Sequence, residues 1–132
     1  RDSDHVSIRG NGTLVMVDIN KFKSINDQYG HVVGDKVLIH IASRLKGRGG
    51  RVVRYGGDEF LVIFDEETPL ADIKAMMETL QSYYNRTHFK VDTHEFEINF
   101  AYGIAPFTHG SDINTIIDAA DRAMYHHKSN TE

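Results

Sequence analysis

Two strand-like runs, residues 51–55 and 60–64, meet at Gly56-Gly57-Asp58-Glu59. A Gly-Gly pair between such runs predicts a tight β-hairpin, because glycine accepts the positive φ of primed turns. This hairpin constrains the rest of the chain, since its strands need neighbours and a core to cover them. It also carries two acids at its tip. Acidic residues at a turn are as readily a solvated tip as a site, and only the remaining residues can separate the two readings.

Upstream, residues 13–17 form a continuous apolar run, Thr-Leu-Val-Met-Val, with no alternation. Such a run suits a strand buried on both faces. It ends on Asp18-Ile19-Asn20, so an acid stands at the carboxyl end of a central strand. In open α/β sheets that edge is where ligands bind. Phe22, Ile25 and Tyr29 follow at helical spacing, with Gly30 as the stop. Gly34-Asp35 precedes a second helix striped by Val37, Leu38, Ile41, Ala42 and Leu45, with Asp35 near its start. After the hairpin, Thr68 and Pro69 predict the cap and first turn of a third helix, with Leu70, Ile73, Met76, Met77, Leu80 and Tyr84 as its buried stripe. Residues 88–91 read as a strand, 92–94 as a turn and 95–105 as one long strand. Ser111 or Asp112 caps a last helix.

The element order predicts an α+β fold with a mostly antiparallel sheet and flanking helices. Its simplest form is a ferredoxin-like βαββαβ sandwich with one additional hairpin and a final helix. There the first and third strands lie side by side, which brings Asp18 towards Asp58 and Glu59. At 132 residues the chain is read as one domain, 1–132. It opens on Arg1 rather than methionine, and the expectation is a domain excised from a longer chain. A net charge of −4 gives no support for nucleic-acid binding through a basic face. The absence of cysteine excludes disulfides and thiolate metal sites. No apolar run approaches the roughly 18 residues of a membrane span, so no direct membrane contact is expected.

Acids converging from separate strands repel one another unless a cation lies between them. With only oxygen ligands on offer, the expected cation is Mg²⁺ or Mn²⁺. Two such ions suit nucleotidyl transfer, in which a hydroxyl attacks and pyrophosphate leaves. Lys21 and Lys23 stand close enough in sequence to neutralise a triphosphate, although a solvated helix face accounts for them equally well. Backbone N–H groups there would suit an anion if they open a helix. Asn26 and Asp35 are the polar candidates for reading a base. A carboxylate accepts two N–H bonds side by side, as on the guanine edge. Helix capping alone is an equal account of Asp35.

Asp18-Ile19-Asn20-Lys21-Phe22-Lys23-Ser24-Ile25-Asn26-Asp27, Tyr29-Gly30-His31, Gly34-Asp35 and Arg54-Tyr55-Gly56-Gly57-Asp58-Glu59-Phe60 together resemble the GGDEF domains of diguanylate cyclases. Tyr102-Gly103-Ile104-Ala105, Ala120-Asp121-Arg122-Ala123-Met124-Tyr125 and Lys128 extend the resemblance over almost the whole chain. It implies a palm fold shared with class III nucleotide cyclases. It also implies condensation of two GTP into cyclic di-GMP and two pyrophosphates, between two copies of the domain, in bacterial cytoplasmic signalling. By the same resemblance, Asp18, Asp58 and the Ile19 carbonyl hold two Mg²⁺ or Mn²⁺ ions per site. Asp58 and Glu59 are the catalytic acids, and Gly56 and Gly57 leave room for substrate. Asn26 and Asp35 bind guanine; Phe22, Lys23 and Lys128 contact phosphates.

Three departures qualify that resemblance. The positions of the family's inhibitory Arg-x-x-Asp site fall on Gly47 and Gly50, so no inhibitory site is expected. The upstream Asp-x-Leu-Thr-Gly-Leu-x-Asn-Arg motif is missing, unless Arg1 is its last residue. The Gly-Arg-Asn that follows the lysine is absent too. The alternative function is an inactive module that binds GTP or cyclic di-GMP as a sensor.

Overall fold

The computed structural model describes the backbone of residues 1–131 and the side chains of residues 1–126. Its elements are β1 (Gly12–Ile19), α1 (Phe22–Tyr29), α2 (His31–Leu45), β2 (Arg51–Gly56), β3 (Glu59–Asp65), α3 (Leu70–Asn85), β4 (Phe89–Val91), β5 (His94–Phe96), β6 (Phe100–Phe107) and α4 (Ile113–Thr131). The main sheet has the order β2-β3-β1-β6, and β4 and β5 form a separate hairpin. Every neighbouring pair is antiparallel. The first and third strands are adjacent, as the ferredoxin-like reading requires.

β1 is buried on both faces because each face has its own helical cover. Val15, Val17 and Ile19 join Phe60, Val62 and Phe64 under α1, α2 and α3. Leu14 and Met16 join Leu61, Ala101 and α4 residues Ile116, Ile117, Ala120 and Met124 on the opposite face. Two separate cores therefore share one sheet. Burying a side chain of this size contributes about 1.5–3 kcal/mol. The unbroken apolar run of β1 is thus a consequence of its central place.

Four sequence expectations change. Gly56 and Gly57 do not take positive φ. The hairpin instead carries an irregularity between Arg54 and Gly56, where Tyr55 is the additional residue. The second helix starts at His31, because Gly30 closes α1 and opens α2 by itself. Its N–H donates to the Asn26 carbonyl at 2.8 Å, and its own carbonyl accepts from Gly34 at 3.1 Å. Asp35 is therefore the fifth residue of α2 and caps nothing.

Thr68 does not cap α3 either: extended Pro69 occupies the cap position with no side-chain bond, and Leu70 is exposed. The long strand over 95–105 is interrupted at residues 97–99. Residues 97–99 carry the chain from the separate β4–β5 hairpin to β6, and Asn99 stands at the junction. Its Oδ1 accepts from the Phe100 N–H at 2.8 Å, and its carbonyl accepts from the Asn20 N–H at 2.9 Å. At the last helix, the Asp112 carboxylate does accept from the Thr115 N–H at 3.1 Å, the geometry of an N-cap.

Candidate active site

The acids predicted to form a site lie at one edge of the sheet. Asp18, half-buried, pairs across the β1–β3 ladder with Glu59. The ladder continues one step further, because the Ile19 N–H donates to the Asp58 carbonyl at 3.0 Å. Asp58, also half-buried, sits in the turn just before β3. The backbone thus brings the end of β1 against the hairpin tip, and Asp18, Ile19 and Asp58 share one corner. Among the described residues no group of three or more His, Cys, Asp or Glu converges on a metal-sized site. Two carboxylates and a carbonyl suit Mg²⁺, which uses one or two carboxylates and completes its shell with water and substrate phosphate. The donor set fits that ion and lacks the nitrogen and sulfur that a softer metal selects.

Glu59 has a different setting. It is 9% exposed. The Arg1 guanidinium takes both of its oxygens and reaches Asp121 on α4 as well. These bonds push the Arg1 guanidinium further above its already high ordinary range. A Cβ on Gly56 would lie 2.2 Å from Glu59 Oε1, so a side chain there would push Glu59 off its place. Gly57 is exposed with open space around it. Arg54 braces the turn from outside, donating to the Gly57 carbonyl at 2.7 Å and the Gly56 carbonyl at 3.3 Å.

The loop after Ile19 opens α1 abruptly. Lys21 takes the left-handed conformation, φ 54° and ψ 31°, and no side chain caps the helix. A non-glycine residue rarely adopts this conformation. The first intrahelical bond runs from the Ile25 N–H to the Lys21 carbonyl at 3.1 Å. The N–H groups of Phe22, Lys23 and Ser24 therefore have no partner within the helix, which favours an anion there. Phe22 is half-buried and Lys23 exposed.

Farther along α1, the Asn26 Oδ1 is buried without a hydrogen-bond partner. Such an acceptor costs about 1–3 kcal/mol until an N–H reaches it. Gly34 of α2 packs on it closely, and the exposed Asp35 follows Gly34 directly. The Lys128 side chain lies outside the described residues. A cleft of about 320 Å³ lies on another face of α1, lined by Asn20, Lys21, Ser24, Gln28, Tyr29 and Asn99 among others, and of the candidate residues it takes in Lys21 alone.

Sequence reasoning passed over Arg54 as a brace, Gly34 as the contact of Asn26, and Asp121 as a partner of the hairpin. Arg-x-Gly-Gly spacing was a usable signal for the first. The others depend on contacts between distant segments.

Residues 3–132 match the family model described as "Diguanylate cyclase, GGDEF domain". The chain belongs to the GGDEF domain family. It is 33% identical over 119 residues to the bifunctional diguanylate cyclase/cyclic di-GMP phosphodiesterase MucR of Pseudomonas aeruginosa, covering 87% of this chain and 17% of that protein. It is 30% identical over 122 residues to diguanylate cyclase A of Treponema denticola, covering 89% of this chain and 33% of that protein. The chain thus spans a third or less of these relatives. Among solved structures it is similar to the GGDEF domain of DgcB from Caulobacter crescentus in complex with c-di-GMP, with a TM-score of 0.82 and 26% identity over 92% of this chain and 74% of that one. The GGDEF fold and the antiparallel sheet agree. Among the described residues no helix is long and apolar enough to cross a membrane.

Proposed function

We propose that residues 1–132 form a catalytic GGDEF domain that condenses two GTP into cyclic di-GMP with release of two pyrophosphates. One observation carries the reading: the Ile19–Asp58 backbone bond of 3.0 Å, which holds the Asp18 and Asp58 corner beside the open amino end of α1. In this reading a nucleotide with its phosphates at that helix end presents its α-phosphate to both acids. Asp18, Asp58 and the Ile19 carbonyl would hold the two Mg²⁺ or Mn²⁺ ions, which when bound neutralise phosphate charge and acidify the attacking hydroxyl.

The protein's own part is binding, orientation and proton transfer. The first-turn N–H groups near Phe22 and Lys23, with the Lys23 and Lys128 cations, take the phosphates. Asn26 and Asp35 take the guanine, Asn26 through its unsatisfied acceptor. Asp58 takes the proton of the 3′-hydroxyl as its oxygen attacks the α-phosphate of the GTP on the facing copy. That step forms one phosphodiester bond and expels one pyrophosphate, and its mirror image closes the ring. Glu59 supports the hairpin by holding it to Arg1. Gly47 and Gly50 stand where the inhibitory pair would be, so product is not retained there. GTP as substrate places this domain in the cytoplasm, working as a homodimer.

The test is to incubate the purified protein with GTP and Mg²⁺ and separate the products by chromatography. Cyclic di-GMP and pyrophosphate are expected in a 1:2 ratio, as the reaction requires. Activity per molecule should rise with protein concentration, because one site needs two copies. Absence of product, or undiminished product from Asp58→Ala, overturns the reading.

A further inference from the structure

Glu59 poses an electrostatic problem that the fold solves with Arg1. It lies directly across the ladder from Asp18, and like charges directly opposite destabilise a strand pair. Its side chain is only 11% exposed, whereas that of Arg1 is 44% exposed. A carboxylate so enclosed needs a partner, and both its oxygens are taken by Arg1. The same guanidinium donates to both oxygens of Asp121, at 2.5 and 3.0 Å. The planar fork of arginine, with five donors, suits two carboxylates at once, which a lysine does not match. Arg1 also lies over the Tyr55 ring, 5.4 Å from its centroid. It therefore touches both sides of the hairpin, Tyr55 before the turn and Glu59 after it, and ties them to α4.

The residues after Arg1 continue this attachment. Ser3 Oγ donates to Asn114 Oδ1 at 2.7 Å. His5 bonds the Arg54 carbonyl at 3.2 Å, and the Ser7 carbonyl accepts from Arg51. Val6 is buried in the same core as Leu61 and α4. The amino-terminal segment thus runs along β2 as a strap. The family match starts at residue 3, beyond Arg1.

We propose that Arg1 is a positioning residue. It fixes the hairpin against α4 through Glu59 and Asp121, and so sets the turnover rate of the site without touching GTP. The proposal rests on the cyclase reading for its kinetic arm and on geometry alone for its structural arm.

The experiment compares the protein with Arg1→Ala, Arg1→Lys and Asp121→Asn, measuring steady-state cyclic di-GMP synthesis and amide hydrogen exchange over residues 56–61. Arg1→Ala is expected to lower kcat by about ten- to a hundredfold, the scale of a misplaced reacting group. The KM for GTP should stay within about twofold, because no substrate contact is lost. Hairpin amides should exchange faster. Arg1→Lys should restore part of the rate, and Asp121→Asn should give a smaller loss in the same direction.

Unchanged kcat and unchanged exchange in Arg1→Ala overturn the proposal. So does a rise in KM at constant kcat, which would make Arg1 a substrate contact. If Arg1→Ala fails to fold, the milder Asp121→Asn decides by the same two readouts. If the unaltered protein makes no product, the cyclase reading fails, and the exchange comparison alone decides whether the clamp exists.

Discussion

A Cβ placed on Gly34 would lie 1.8 Å from the Asn26 Oδ1, so any side chain there has to displace the Asn26 amide. Asn26 is thereby pinned with its oxygen buried and unpaired. Gly34→Ala must displace Asn26 or separate the helices. Helix propensity favours the substitution by about 1 kcal/mol, and overpacking opposes it by about 1–3 kcal/mol. The net expectation is a melting temperature lower by about 0–8 °C, checked by calorimetry. The KM for GTP should rise about tenfold, one guanine hydrogen bond to a fixed polar group being lost. An unchanged KM would mean that Asn26 does not meet the base.

Asp35 is exposed on α2, past the first turn, where it caps no helix. Its carboxylate is thus available to accept from the two N–H groups on the guanine edge. Asp35→Ser offers one hydroxyl instead. The preference for GTP over ATP is expected to fall at least about tenfold in competition assays, since a site built for N–H donors rejects the edge lacking them. Stability should change by less than about 0.5 kcal/mol, as for other exposed positions. Unaltered discrimination with a stable variant would remove Asp35 from base recognition.

The alternation of Leu14 and Met16 with Val15 and Val17 carried no information about which helices cover which face. The run did show that β1 lies at the centre, because only a doubly covered strand tolerates it. Likewise Gly56-Gly57 marked the hairpin, but not that Gly56 lies against the Glu59 side chain while Gly57 has open space, neither taking positive φ. Residues 95–105 looked continuous because Phe96, Ile98 and Phe100 alternate perfectly with polar residues. The break is where the chain passes from the separate β4–β5 hairpin to β6, whose pairing with β1 runs on to Asn99 and Asn20, some 80 residues apart by the numbering. Local pattern does not encode contacts of that range. The Arg1–Glu59–Asp121 cluster was equally invisible, since its members lie at the two ends and the middle of the chain.

His40 gives the fold a testable acid sensitivity. Its Nδ1 shares a hydrogen bond with the Tyr84 hydroxyl at 2.9 Å, and Phe89 meets its ring edge-on. Burial first, and the Arg44 cation second, hold its imidazole below the ordinary 6.5. The folded state therefore binds its proton more weakly than the unfolded chain. The stability that follows is present above the unfolded value and is lost as pH falls through the folded one. The melting temperature should decline between about pH 7 and 5, and less steeply in His40→Gln, which keeps a hydrogen-bonding group without the charge. Equal slopes for the two proteins would exclude His40 as the source.

Product inhibition offers a last test, built on Gly47 and Gly50. A Cβ on Gly50 would lie 2.7 Å from Val62 Cγ1 and 2.8–2.9 Å from the Phe64 ring, so the start of β2 rests on the sheet with no room for an aspartate. Gly47 has open space but a φ of 77°, which strains any side chain. An Arg and an Asp at these two places are therefore opposed by backbone and packing, by about 1–2 and 1–3 kcal/mol respectively. Initial rates of GTP turnover should be unaffected by added cyclic di-GMP at concentrations equal to the protein. The double variant Gly47→Arg/Gly50→Asp should melt at lower temperature. Strong inhibition of the unaltered protein by its product would instead require a binding site built from other residues.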